Sequence, residues 1–204
     1  MQDGVILRRN RVWSVCRAVI IITLILAIIA VGAILLVNRY YPVRHVDTIN
    51  RYAEIFDLDP VLIFAVIHAE SRFNENAVSR VGASGLMQIM EETAYWIAPS
   101  AGLNDFHYDQ ILDPEVNIRL GSYYLSMLLG RFGDLKVALA AYNAGSGNVE
   151  RWLSNPEYSI DGKTLERIPF LETRNYVERV AENQRIYSII LRFANILRVS
   201  EQYL

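Results

Sequence analysis

The chain has 204 residues, of which 52% are hydrophobic, and that length supports one ordinary domain with a core large enough to fold alone. The formal net charge is −2, and no run of lysine or arginine or RNA-binding signature occurs, so nucleic acid is excluded as an electrostatic partner. The single cysteine, Cys16, excludes an intrachain disulfide and a metal site of paired cysteines.

The first element in chain order is a long apolar run near the N-terminus. Residues 18–37 read AVIIITLILAIIAVGAILLV, and a helix needs roughly 20 such residues to cross the hydrocarbon of a membrane. The side of the run with more arginines is expected to stay in the cytoplasm. Before the run stand Arg8, Arg9, Arg11 and Arg17, and after it stand Arg39 and Arg44. The sequence therefore predicts a single-pass protein of the cell membrane, with residues 1–17 as a cytoplasmic tail.

A cleaved signal peptide is the alternative for this run. Its apolar region usually has about 7–15 residues and ends at a small-x-small site. Here the run is longer, and Arg39-Tyr40-Tyr41 follows it almost directly. We therefore interpret residues 18–37 as an uncleaved transmembrane signal anchor and residues 38–45 as a tether. Cys16 is then a small residue near the membrane, with acylation as the alternative.

Helical periodicity continues from there almost to the C-terminus. "VDTINRYAEIFDL" carries one apolar stripe, and "DPVLIFAVIHAE" is apolar nearly all round, which predicts a central buried helix. Asp59 is the predicted N-cap of that second helix, with Pro60 at its first position. "SGLMQIMEETAYWIA" indicates a third helix that Ser84 could cap.

The C-terminal half repeats these signals. "DPEVNIRLGSYYLSMLLGRFG" predicts a helix that closes near Gly130 or Gly133. "DLKVALAAYNAGSGNVERWL" predicts a helix that breaks at its two glycines and resumes, and a long final helix is expected from about Glu172. "YSIDGKTL" is the only hairpin-like segment, with Asp161-Gly162 as its turn. The pattern predicts an all-α domain over residues 46–200, with at most one small hairpin.

Glu70 is the candidate for chemistry because it ends the apolar helix. Ile67, Val66 and Ile63 precede it on the same helical face, so its carboxylate extends an apolar stripe. Desolvation and the negative end of the helix dipole both raise the pKa of a carboxyl group there. A raised pKa suits a general acid near neutral pH. The alternative is a glutamate that pairs with Arg72 or points into water.

Four blocks of sequence resemble, in the same order, the lytic transglycosylases of the goose-lysozyme-like superfamily. They are ESRF (70–73), GASGLMQIM (82–90), ALAAYNAGSGNVERWL (138–153) and IPFLETRNYVERV (168–180). The resemblance spans residues 60 to 180 and leaves out the apolar run. It implies a compact, helical, lysozyme-like domain that acts on peptidoglycan glycan strands. Family enzymes cleave the β-1,4 bond after N-acetylmuramic acid without water and leave a 1,6-anhydro ring, with neither metal nor cofactor.

The resemblance also implies roles for individual residues. Glu70 falls on the single catalytic glutamate, which acts as acid and then as base. The positions implied to bind substrate are Ser71, Ser84, Met87, Gln88, Tyr142, Asn143 and Tyr176. One departure is Glu91, which stands where the family usually has proline.

Several alternatives stay open at this stage. Tyr142 and Tyr176 are also compatible with core tyrosines whose hydroxyls are hydrogen-bonded. A muramidase that uses water would need a held water or a second carboxylate, for which the candidates are Glu91, Glu92, Asp105 and Asp109. A non-catalytic glycan-binding module is the alternative outside the enzymes. The histidines lack metal-ligand spacing, and the sequence identifies no protein partner.

Overall fold

The computed structural model describes the backbone of residues 2–201 and the side chains of residue 13 and residues 16–193. The chain divides into two compact units, residues 1–42 and residues 43–204. The first unit consists of helix α1 (Gln2–Tyr40). Its segment Cys16–Tyr40 is long and apolar enough to cross a membrane, and none of the apolar window is buried in protein.

The second unit is helical, as the sequence predicts. Its elements are α2 (Val46–Ile55), α3 (Pro60–Ser71), α4 (Glu91–Ile97), a 3₁₀ helix (Tyr108–Leu112), α5 (Pro114–Phe132), α6 (Leu135–Ala144), α7 (Ser146–Leu153) and α8 (Leu171–Glu201). Among the described residues there is no strand, and β pairing is limited to two isolated bridges that Ser84 makes with Val78 and Ile89. The prediction of an all-α domain is therefore confirmed.

Helix α3 lies at the centre of this unit. Its residues 62–67 are all buried, and its main packing partner is α8. The carboxylate of Asp59 accepts a hydrogen bond of 2.8 Å from the backbone N–H of Val61, and Pro60 occupies the first helical position, so the predicted start is confirmed. The helix ends at Ser71, and the next residue, Arg72, has a left-handed φ of 52°. This arrangement holds the last turn of α3, with Glu70, among the other helices.

The predicted third helix begins six residues later than expected, with Met90 rather than Ser84 as its N-cap residue and Glu91 as its first residue. Left-handed φ angles at Gly85 (80°) and Gln88 (49°) interrupt any helix between these positions. Ser84 and Ile89 instead exchange two backbone hydrogen bonds of 3.1 and 3.0 Å. Residues 84–90 therefore form a closed loop, which we call the 84–90 loop.

The segment expected as a hairpin turns without pairing strands. At Asp161-Gly162 the carboxylate of Asp161 accepts hydrogen bonds from the backbone N–H groups of Lys163 and Thr164, at 2.8 and 2.7 Å. The chain then returns to the carbonyl of Tyr158 through backbone hydrogen bonds. The turn expected at Asp161-Gly162 is therefore present and is held by one side chain, and no strands pair between residues 158 and 167, which agrees with a prediction of at most one small hairpin.

Candidate active site

Glu70 lies in the last turn of α3 and is half-buried. The stripe that it extends is closed to solvent, because Ile63, Val66 and Ile67 are each 0% exposed. Desolvation in these surroundings raises the pKa of the Glu70 carboxyl group to about 7. At neutral pH a substantial fraction of this carboxyl group is therefore protonated.

Helix α8 supplies three groups that act on Glu70. The hydroxyl of Tyr176 and the charge of Arg179 lower the pKa of Glu70, which offsets part of the desolvation, and the charge of Glu172 raises it. Tyr176 is 1% exposed, and the guanidinium carbon of Arg179 lies 6.0 Å from the centroid of its ring. The Tyr176 hydroxyl makes no hydrogen bond of standard geometry within the described residues, although it lies close enough to Glu70 to act on its pKa.

Tyr142 approaches the same carboxyl group from the end of α6. Its hydroxyl donates a hydrogen bond of 2.9 Å to the backbone carbonyl of Met87. Burial raises the pKa of the Tyr142 phenol well above its ordinary value, and the nearby Glu70 raises it further. The pKa of Tyr176 is raised in the same way. Both phenols therefore stay protonated and remain hydrogen-bond donors beside Glu70.

The 84–90 loop presents its backbone, rather than the side chain of Met87, to this site. Met87 is 0% exposed and packs on Gly121 of α5, where a Cβ would lie only 2.4 Å from its sulfur. A glycine at position 121 thus makes room for Met87. The structure places this side chain in the core, and its carbonyl orients Tyr142.

The remaining residues with implied roles lie around this centre. Gln88 is half-buried, and its amide group donates hydrogen bonds to the carbonyls of Ala77 (3.0 Å) and Gly85 (2.8 Å). The hydroxyls of Ser71 and Ser84 each donate to a backbone carbonyl at 3.2 Å. Asn143 is half-buried and follows Tyr142 on α6. The amide of Gln88 therefore stabilises its own loop.

Asn117 on α5 holds the 84–90 loop in place, and the sequence analysis did not single it out. It is completely buried. Its amide oxygen accepts from the N–H of Met87 at 2.7 Å, and its amide nitrogen donates to the carbonyls of Ser84 and Ile111 at 2.9 Å each. A polar residue among the largely apolar buried residues of α5 was the signal that could have identified it.

Replacing Asn117 with alanine is expected to lower the free energy of unfolding by roughly 3 kcal/mol, because three buried backbone groups lose their partner at about 1–3 kcal/mol each before relaxation. Urea unfolding of the full chain in detergent measures this change. Asn148→Ala is the matched control, since the Asn148 amide donates to the carbonyl of Ala144 on a half-buried surface, and it should cost about 1 kcal/mol. Equal losses in the two variants would contradict the role of Asn117.

The acidic residues considered as a second carboxylate are all on the surface. Glu91, Glu92, Asp105 and Asp109 are all exposed, and none of them contributes to the pKa of Glu70. The carboxylate that does contribute is Glu172. In the part of the chain whose side chains are described, no three histidine, cysteine, aspartate or glutamate residues are grouped as metal ligands.

Known proteins are similar to this region in both sequence and fold. The family model "Transglycosylase SLT domain" matches residues 47–163. The chain is 39% identical over 150 residues to the soluble lytic murein transglycosylase of Salmonella typhimurium, covering 72% of this chain and 23% of the relative. It is 30% identical over 173 residues to the membrane-bound lytic murein transglycosylase C of Edwardsiella ictaluri, covering 71% of this chain and 46% of the relative.

A solved structure shows the same fold. The lytic transglycosylase Slt of Pseudomonas aeruginosa, solved as an inactive glutamate-to-glutamine mutant, superposes with a TM-score of 0.67 and 38% identity, covering 76% of this chain and 26% of that one. This chain thus corresponds to less than half the length of each of these relatives. With a matching family model over most of the helical unit, the chain belongs to the transglycosylase SLT-domain family of lytic murein transglycosylases.

Proposed function

We propose that this protein is a membrane-anchored lytic transglycosylase that cleaves peptidoglycan between N-acetylmuramic acid and N-acetylglucosamine. One observation carries the proposal: the carboxyl group of Glu70 has a pKa raised to about 7 and lies beside Tyr142 and Tyr176. The family supports it, because the relatives are named lytic murein transglycosylases and the Pseudomonas aeruginosa protein is inactive as a glutamate-to-glutamine mutant.

In this mechanism Glu70 acts twice. Protonated Glu70 donates its proton to the glycosidic oxygen while the bond from that oxygen to C1 of the muramic acid breaks. The N-acetyl carbonyl of the substrate stabilises the oxocarbenium-like centre at C1. The Glu70 carboxylate then takes the proton of the 6-hydroxyl, whose oxygen bonds to C1 and closes the 1,6-anhydro ring. No water enters the products, and Tyr176 and Arg179 hold the carboxylate while it is charged.

Hydrolysis by a muramidase is the competing outcome. An inverting enzyme places its two carboxyl groups about 6.5–9.5 Å apart around a water, and a retaining one uses the second as nucleophile. The four exposed acidic residues considered for that role do not act on Glu70. Among the described residues the one carboxylate that does act on Glu70 is Glu172, which is exposed on α8, and the proposal therefore assigns both the acid and the base role to Glu70.

Product masses test this choice. Purified peptidoglycan digested by the full chain in detergent should yield muropeptides about 18 Da lighter than hydrolysis products, because no water is added across the bond. A muramidase standard supplies the hydrated reference. Hydrated products from this protein would identify a hydrolase, and binding without any cleavage would identify a non-catalytic glycan-binding module.

We further propose the topology of a signal anchor. Residues 1–17 form the cytoplasmic tail, residues 18–37 cross the membrane, residues 38–45 are a tether, and residues 46–200 form the catalytic domain outside. The apolar segment Cys16–Tyr40 and the excess of arginine before it support this arrangement. Relatives that are named membrane-bound also support it.

Protease added outside intact protoplasts is expected to degrade the catalytic domain and leave an N-terminal fragment. A tag on the N-terminal tail follows that fragment, and permeabilised protoplasts, in which the tag is lost as well, are the control. A domain that survives in intact protoplasts would contradict the orientation. A soluble mature protein that starts near residue 40 would show cleavage by signal peptidase instead.

A further inference from the structure

Three aromatic rings in successive contact lead from the candidate active site to the surface. The ring of Tyr142 lies 5.2 Å from the ring of Tyr124, measured between centroids, and the Tyr124 ring lies 6.4 Å from that of Trp96. Tyr142 is the member beside Glu70. Trp96, on α4, is the outer member and is 61% exposed.

The indole of Trp96 contacts the ring of Tyr124 and is otherwise largely exposed. It meets Tyr124 nearly at right angles, with 78° between the ring planes. Tyr124 is itself half-buried, and its hydroxyl interacts with the side chain of Ser146 at the start of α7, which anchors the contact. A large apolar ring that is oriented by a neighbour and exposed to water is available for a ligand.

A glycan strand is the ligand that this position fits. A pyranose ring has an apolar face of C–H groups, and aromatic side chains bury such faces while the hydroxyl groups at the ring edge stay hydrated. A β-1,4-linked strand is extended, so a strand cleaved at Glu70 continues past the residues that flank it. Trp96 is two ring contacts away from Tyr142 along such a path.

We propose that Trp96 is the platform of an outer glycan subsite, which binds an N-acetylhexosamine unit of the strand beyond the two sugars that flank the cleaved bond. This inference rests on the proposed function, since it assigns the same site a preference for long strands. The continuity of the three rings with Glu70 favours a glycan here over a protein partner.

Binding to an inactive form tests the subsite without cleavage. The full chain with Glu70→Gln, in detergent, is titrated with peptide-free strands of alternating N-acetylglucosamine and N-acetylmuramic acid, either two or eight sugars long. Adding Trp96→Ala should weaken binding of the long strand by roughly 10-fold, the size of one well-buried aromatic contact. Binding of the disaccharide should be unchanged, because it does not reach Trp96.

Two further variants control for ring loss. Trp96→Tyr keeps a flat ring and should restore most of the affinity. Phe193→Ala removes an exposed ring of α8 (64% exposed), several turns beyond Arg179, and should leave both strands unaffected. In the otherwise wild-type enzyme, Trp96→Ala should raise KM for long strands and leave kcat unchanged.

The outcomes separate this inference from the proposed function. Cleavage of long strands with the same KM in Trp96→Ala would overturn the subsite alone, as would equal losses for short and long strands or a loss shared by Phe193→Ala. A change of oligomeric state in Trp96→Ala, with unchanged glycan binding, would assign the ring to a contact between protein chains. If the wild type bound the strands without cleaving them, the proposed function would be wrong. The comparison of strand binding with and without Trp96 would still test the subsite.

Discussion

Replacing Glu70 with glutamine is expected to lower the rate of peptidoglycan cleavage by about 10²- to 10⁴-fold, the range for loss of general acid catalysis. Glutamine keeps the shape of the side chain but has no acidic proton for the leaving oxygen and no carboxylate for the 6-hydroxyl. Release of anhydro-muropeptides per minute by the full chain in detergent, followed by mass spectrometry, measures the loss.

Glu157→Gln is the matched control, because Glu157 is exposed and pairs with Arg167 at 3.2 Å on the surface. It should cleave at the wild-type rate. A Glu70→Gln variant with full activity would place the general acid elsewhere. A variant that loses activity together with its helical circular dichroism would show only that the fold had failed.

The pH profile of the wild type follows from the same carboxyl group. Because Glu70 must be protonated when the bond breaks, activity should fall as the pH rises through its pKa of about 7. Two charge changes on α8 test the assignment in opposite directions. Glu172→Gln removes a charge that raises the pKa of Glu70 and should move the fall to lower pH, whereas Arg179→Gln removes a charge that lowers it and should move the fall to higher pH.

Stability should also depend on pH through Glu70. Its pKa is raised from 4.5 to about 7 by folding, so its contribution to stability is complete below pH 4.5 and is lost as the pH rises through about 7. Glu70→Gln lacks this loss and should become more stable than the wild type over that interval, by up to roughly 3 kcal/mol. Urea unfolding at pH 4 and pH 8 measures the difference in free energy of unfolding between the variant and the wild type. An equal difference at the two pH values would show that Glu70 does not cause the pH dependence of stability.

Replacing Tyr142 with phenylalanine should lower activity by roughly 10- to 1,000-fold, the range for a lost oriented hydrogen bond in an active site. The change removes the hydroxyl that bonds to the carbonyl of Met87 and keeps the ring in contact with Tyr124. The 84–90 loop thereby loses its link to α6 beside Glu70. Initial rates at saturating peptidoglycan, compared with the melting temperature, separate this effect from unfolding.

Tyr108→Phe is the matched control for Tyr142→Phe. The hydroxyl of Tyr108 also donates to backbone carbonyls at or beside the same loop, those of Gly82 at 3.1 Å and Ile89 at 3.3 Å, but it does so from the 3₁₀ helix rather than from α6. We expect a similar small loss of stability and near-normal activity. If both phenylalanine variants were equally impaired, the tyrosines would matter through the loop alone; if neither were impaired, the proposed role of Tyr142 would be wrong.

The sequence by itself determined the helical class of the domain, the apolar run, and the helix that ends at Glu70. These features depend on short windows: the Asp59-Pro60 start and the apolar residues 62–67 act within a few turns of one helix. The raised pKa of Glu70 followed from the same window, since the stripe that desolvates the carboxylate lies on its own helix. The resemblance to a family, rather than spacing, added Tyr142 and Tyr176.

Only the tertiary structure decided how the rest of the site is assembled. "SGLMQIM" has the periodicity of a helix, but Asn117 from α5 binds the backbone of Ser84 and Met87 and stabilises a loop instead. The charges on α8 that tune Glu70 are about a hundred residues away in the chain and are close in space because α8 packs on α3. No local window contains such contacts, because their energy comes from groups that meet only after the helices pack.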